Sequence, residues 1–207
     1  MPETYKNALA LLRSRHRPPL SRPAKNHPNN LDMKSWLAAL GHQNIRFQVI
    51  HITGTKGKGS TAVLTESFLR AHFRRTTRTV KIGLYTSPHL ITERERIRID
   101  SEPVSEEAFA KHFFDIWHAL IENCDGLDNM PGYLQLLALL SVRVFEHERV
   151  DLAIYEVHAG GRKDATNFFN RPVACGFSII GLDHVDILGP TVKHVAWHKS
   201  GIMKPGP

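Results

Sequence analysis

Cysteine is nearly absent from this chain: there are two among 207 residues, Cys124 and Cys175. Two thiols without paired or metal-type spacing exclude a disulfide framework and suit a reducing compartment. No apolar run approaches the roughly 18 residues that cross a bilayer, so no integral membrane association is expected. The opening Met1-Pro2-Glu3-Thr4-Tyr5-Lys6 lacks the apolar centre of a secretory signal. Basic residues follow it (Arg13, Arg15, Arg17, Arg22, Lys25), which leaves the cytoplasm as the expected location and the mitochondrion as the alternative. Internal repeats and low-complexity tracts are also missing. What is in excess is positive charge, 27 Lys and Arg against 20 Asp and Glu. The cations are scattered and aromatics do not interleave with them. A polyanionic small molecule such as ATP, or a polycarboxylate, fits that pattern better than nucleic acid, and no nucleic-acid partner is expected.

The most informative stretch is Gly54-Thr55-Lys56-Gly57-Lys58-Gly59-Ser60-Thr61, directly after the apolar run Phe47 to Ile52. Glycines let the backbone bend so that several N–H groups converge on one anion. A helix following the loop points its positive end at the same spot. Lys58 adds a point charge for the outer phosphates, and Ser60 or Thr61 offers a hydroxyl to Mg²⁺. The generic phosphate-loop pattern is not met: Ile52 stands where its first Gly belongs, and Gly59 follows the lysine in place of Ser or Thr.

Around this loop the element types alternate. Helices are expected over 4–15 and 31–40, separated by a loop over 16–30 with four prolines. Then come a strand over 47–53, a helix over 60–74, a strand over 79–85 and a short strand over 96–100. A helix capped by Ser105 and another over 133–147 follow. The apolar runs 150–157 and 173–180 read as strands buried on both faces of a parallel sheet, and a last helix spans 192–200. Repeated strand–helix order predicts an α/β fold with a mostly parallel sheet and flanking helices. Its domains are expected as an N-terminal helical segment, 1–45, and an ATP-binding domain, 46–207. Such sheets bind ligands at the carboxyl ends of their strands. Four ends present polar residues there: the phosphate loop, Thr86-Ser87-Pro88-His89, Glu156 to Gly161, and Gly181-Leu182-Asp183-His184.

At that rim Glu156 suits Mg²⁺, which prefers hard oxygen ligands; a capping or ion-paired role is the alternative. Ser87 sits where its hydroxyl reaches the same cation, or is a turn residue. His184 counts for little by itself. Asp164-Ala165-Thr166-Asn167 is either a helix-capping segment or a substrate-contacting loop, and spacing does not separate the two.

The ordered set GTKGKGST, YTSPHLITERERIRID, YEVHAGGRKDATN, GLDHVDILGPT and AWHKSGIMKPG resembles the folylpolyglutamate synthase family of the Mur-ligase superfamily, from about residue 4 to the end of the chain. The resemblance implies a P-loop-type central ATPase domain in which Lys56, Gly57, Lys58 and Gly59 hold ATP. It implies Ser87 and Glu156 on one Mg²⁺, His184 on a second, and a carbamylated Lys199 as a metal-binding group. Lys58, His184 and Lys199 are thereby the catalytic candidates. The stretch Thr86 to Arg98 and the turn Arg162 to Asn167, including Lys163, Asp164 and Ala165, match regions that line the folate site. The implied reaction joins L-glutamate to the γ-carboxylate of a reduced folate through an acyl phosphate, in a monomer. The chain departs from the family at His158-Ala159-Gly160-Gly161 and near Pro131 to Gln135. Such enzymes usually continue past the Lys199 motif into a second domain, so an incomplete ATPase domain without the C-terminal glutamate-ligase domain is expected. A nucleotide- or folate-binding remnant and a dihydrofolate synthase are the competing readings.

Overall fold

The computed structural model describes residues 2–16, 30–123 and 129–204. Most of the expected proline-rich loop, and Cys124, lie outside them. Helix α1 (Tyr5–Ser14) is capped by Thr4, whose hydroxyl accepts from the Asn7 N–H. After α2 (Asn30–Ala39) the chain turns at Gly41, which adopts φ +75°. Strand β1 (Gln48–Thr53) leads into α3 (Lys58–Phe73), then β2 (Ile82–Tyr85), a 3₁₀ turn (Glu93–Arg96), β3 (Ile97–Ile99) and β4 (Glu102–Pro103). Helices α4 (Glu106–Asn123) and α5 (Tyr133–His147) precede β5 (Leu152–Glu156), β6 (Ala174–Phe177), α6 (Val185–Leu188) and α7 (Val192–Ser200).

The six strands form one sheet in the order β4-β3-β2-β5-β1-β6. Strands β2, β5, β1 and β6 run parallel, while β3 and β4 pair antiparallel at one edge. The expected mostly parallel α/β fold is therefore what the chain adopts.

Side chains alternate across a strand, and this period sorts the core. Val49, Tyr85, Ala153 and Tyr155 face α1, α2, α4 and α5 in a large buried cluster that includes Phe113, Leu137 and Phe145. Ile52, Ile82, Leu84 and Ile154 face the other way, against Ala62 of α3, in a much smaller cluster. The residue-45 boundary does not separate two cores: Ala8, Leu12, Met33, Trp36 and Leu37 share the large cluster with the later helices.

The run 173–180 departs from its expectation. Only Ala174–Phe177 is a strand, and it is an edge strand with a single neighbour, β1. Val173, Phe177, Ile179 and Ile180 are exposed rather than buried on both faces. The composition of a β-rich apolar run states a preference for a sheet, while the number of neighbours depends on distant chain. Among the described residues no helix is long and apolar enough to cross a membrane.

Candidate nucleotide site at the carboxyl ends of the strands

Strand β1 ends at Thr53, and the loop Gly54 to Gly57 carries the chain straight into α3. Helix α3 starts at Lys58, two residues before its expected start. Its N-cap is Gly57 at φ +79°, a left-handed conformation that side chains rarely adopt. That cap offers no side-chain acceptor, and the first turn holds no acidic residue. The first N–H groups of α3 are thus left for a ligand, with Lys58 at the helix's first position. Ser60 is exposed. The Thr61 hydroxyl donates to the Gly57 carbonyl at 2.8 Å, keeping its lone pairs but using its proton.

Gly54 is the tightest point. An added Cβ there would lie 1.8 Å from the Ser178 hydroxyl oxygen. Thr55 ties the loop to the segment after β6: its N–H donates to the Ile179 carbonyl at 2.7 Å, and its hydroxyl to the Gly181 carbonyl at 2.9 Å. Lys56 forms an isolated antiparallel bridge to Ile179.

Glu156 closes β5 two residues after Ile154, so it faces the α3 side. It is buried, and its carboxylate stands against the phosphate loop: a Cβ on Gly59 would lie 3.4 Å from Oε2 and 3.7 Å from Oε1. Oε2 accepts from the Thr86 hydroxyl and, at 3.0 Å, from the Ser87 N–H. These bonds fix the carboxylate. Oε1 accepts no hydrogen bond among the described residues. Ser87, half-buried, stands beside it through its backbone. The sequence places Thr86 at the rim without a partner; the period running Ile82, Leu84, Thr86 puts it on the α3 side, where it meets Glu156.

Lys199, on α7, is buried, and its Nζ donates to the Gly54 carbonyl at 2.6 Å. Burial, and next the charge of Lys58, bring its pKa down to about 8. Sequence distance hides this contact, which brings the last helix onto the phosphate loop. His184 is half-exposed, caps α6 in a left-handed conformation (φ 45°, ψ 47°) and has Asp183 at 3.6 Å. Among the described residues no three His, Cys, Asp or Glu side chains converge as a preformed metal centre. Ser87 and Glu156 are brought together with the loop, while the contact of His184 is with Asp183.

The turn Arg162 to Asn167 caps no helix, which removes one of its two readings. Asp164 is buried and accepts at 2.8 Å from the Ala159 N–H, at 2.9 Å from the Thr166 N–H and at 2.7 Å from the Thr166 hydroxyl. His158 lies 3.2 Å from it. Despite its burial, these partners, His158 foremost, hold the carboxyl well below the ordinary carboxylate range. Its oxygens thus accept hydrogen bonds from within the turn, which it shapes. Lys163 is exposed beside it, and Ala165 packs partly against the large core.

Further along the rim, Glu95 accepts from the N–H groups of Leu90, Ile91 and Thr92. It holds Leu90 and Ile91, 91% and 87% exposed, out at the tip of the loop after β2.

No protein-family model matches the chain. Among curated proteins it is 47% identical over 183 residues to the folylpolyglutamate synthase of Neurospora crassa, which covers 84% of this chain and 35% of the relative. It is 44% identical over 193 residues to that of Saccharomyces cerevisiae, again covering 35% of the relative. The chain thus spans about a third of the length of the curated relatives it matches. A solved folylpolyglutamate synthase complex with AMPPCP and folate superimposes with TM-score 0.86 at 33% identity, over 98% of this chain and 47% of that one. FolC from E. coli, in complex with DHPP and ADP, gives TM-score 0.80 at 30% identity, over 98% and 45%.

Proposed function

We propose, from the likeness to folylpolyglutamate synthases over most of the chain, that the loop Gly54 to Thr61 binds ATP and serves the ligation of L-glutamate to the γ-carboxylate of a reduced folate. The observation that carries this reading is the Glu156 carboxylate, fixed by Thr86 and Ser87 and set against Gly59 of a glycine loop that opens a helix. Nucleotide binding is supported by the solved relatives bound to AMPPCP or ADP. The folate acceptor is supported by the relative bound to folate and by the apolar tip Leu90-Ile91, which offers surface to an aromatic body.

The chemistry needs two anions to meet. A folate carboxylate oxygen attacks the terminal phosphorus of ATP and ADP leaves. The glutamate amine then attacks the acyl carbon and phosphate leaves, giving an amide. Lys58 and the N–H groups of α3 lower the charge on the transferring phosphoryl group. A Mg²⁺ ion would take Glu156 Oε1 and the Ser87 hydroxyl as ligands, with phosphate and water completing its shell, and would supply further neutralisation. A second cation would use His184. With its pKa near 8, Lys199 has a neutral fraction at mildly alkaline pH, and the neutral amine is the form that reacts with CO₂ to give a carbamate.

The test is a ligase assay with ATP, tetrahydrofolate and labelled glutamate, alongside calorimetric titration with ATP and Mg²⁺. Labelled product supports the ligase; nucleotide binding without product supports a binding remnant; no nucleotide binding by the folded chain overturns the reading. The likeness to the FolC complex with DHPP favours one second reading, a dihydrofolate synthase. Preferential product with dihydropteroate as acceptor would establish that alternative.

A further inference from the structure

The phosphate loop is clamped from outside by a residue that no motif singles out. Ser178 is the first residue after β6, and its N–H donates to the Thr53 carbonyl at 2.9 Å, extending the β1–β6 ladder past the last strand residue. Its hydroxyl then donates to the Lys56 carbonyl at 2.7 Å, with the Thr53 carbonyl at 3.4 Å. The same oxygen occupies the space a Gly54 side chain would take, 1.8 Å from the position of that Cβ. Three residues on, the Gly181 N–H donates to the Thr55 hydroxyl at 3.0 Å while that hydroxyl donates back to the Gly181 carbonyl.

One peptide plane gives this clamp its consequence. In a trans peptide the C=O and the following N–H point in opposite directions. With the Lys56 carbonyl turned onto the Ser178 hydroxyl, the N–H of Gly57 is turned the other way, away from Ser178. That N–H finds no acceptor among the described residues. Glycine alone would leave this peptide free to flip, because it tolerates both orientations.

We propose that Ser178 is a positioning residue for the nucleotide: its hydroxyl sets the Lys56–Gly57 peptide so that the Gly57 N–H faces the phosphate group. It acts through Gly57, and touches no phosphate itself. The Thr55–Gly181 pair completes a latch that registers the loop carrying His184 against the phosphate loop. The inference rests on the nucleotide reading above and adds the residue that orients it.

The test is calorimetric titration of the wild-type chain, Ser178→Ala, Ser178→Thr and Lys58→Ala with ADP and Mg²⁺ and with inorganic triphosphate, each well below its melting temperature. Ser178→Ala is expected to weaken both ligands about tenfold, the scale of one lost hydrogen bond, and Ser178→Thr to restore affinity. With ADP and Mg²⁺ at saturation, amide exchange at Gly57 should quicken in Ser178→Ala while the ligand-free melting temperature stays within a few degrees, a readout a merely structural serine would not move. Unchanged affinity in Ser178→Ala overturns the latch, as does a folded Ser178→Thr as weak as the alanine variant. A folded wild-type chain without nucleotide affinity overturns the phosphate-loop reading and the latch with it. Binding that depends on Lys58 but not on Ser178 overturns the latch alone.

Discussion

The two faces of the sheet are unequal. One is covered by α1, α2, α4 and α5 around interlocked aromatic rings: Phe47 meets Phe145 edge-on at 5.8 Å, and Tyr85 meets Tyr155 at 5.3 Å. The other is covered by α3, whose buried cluster has five residues and whose outer side leaves Val63, Leu64 and Phe68 exposed. The phosphate loop and Glu156 belong to the thin face. Dense packing fixes the strand ends from behind, while the glycine loop on the other side is held mainly by hydrogen bonds between loops. Hydrogen bonds to loops cost little to rearrange compared with a packed core.

The comparison breaks most visibly on the thick face. Phe145→Ala removes a fully buried ring that touches Phe47 and Tyr155, and should cost about 3–5 kcal/mol, read as a lower denaturation midpoint. On the ligand side, Lys58→Ala should lose at least about tenfold in ATP affinity, or ~1.4 kcal/mol, with a melting temperature unchanged or slightly raised. A cation at the positive end of a helix opposes the dipole, so its removal does not harm the fold. A stability loss equal to that of Phe145→Ala would end the distinction between the faces.

Acid sharpens the contrast. His51 is buried on the thick side, with Nε2 bonded to the Thr166 hydroxyl at 2.9 Å, and desolvation lowers its pKa to about 4. The unfolded chain, with the ordinary value of 6.5, binds more protons in that window, so stability should fall as pH drops from about 6.5 toward 4. His51→Gln should reduce that slope in urea denaturation series, the remainder coming from His112, whose pKa burial also lowers to about 4. The smallest effect belongs to the exposed side of α3: Phe68→Ser should change stability by no more than about 0.5 kcal/mol, while reducing light scattering at high concentration.

Local patterns were legible where one period governed the residues. Helix α5 matches its expected bounds because Leu137, Ala138, Val144 and Phe145 repeat along a helix and meet a ready partner face. The glycine loop was legible because few other structures need three glycines in six residues after a strand. Its early passage into α3 was not, since Gly59 and Ser60 are poor helix formers that here occupy the first turn. The edge position of β6 and the clamp by Ser178 depend on residues over a hundred positions apart or on which neighbours a strand finds, while Asp164 turns inward on local partners, His158, Ala159 and Thr166, that no spacing rule singles out. Short polar residues at strand ends look alike in a sequence, and only pairing separates Thr86 and Ser178 from ordinary turn residues.

Helix α3 begins without an acidic side chain or a side-chain cap, and with a lysine at its positive pole. The positive potential of that helix end is therefore uncompensated by the chain's own side chains. On the proposed reading, a bound polyphosphate would be the cap the helix lacks, and docking and local ordering would be one equilibrium approached from two directions. The warmth a sample tolerates should then climb with ligand concentration, and added salt, by shielding that pole, should blunt the climb.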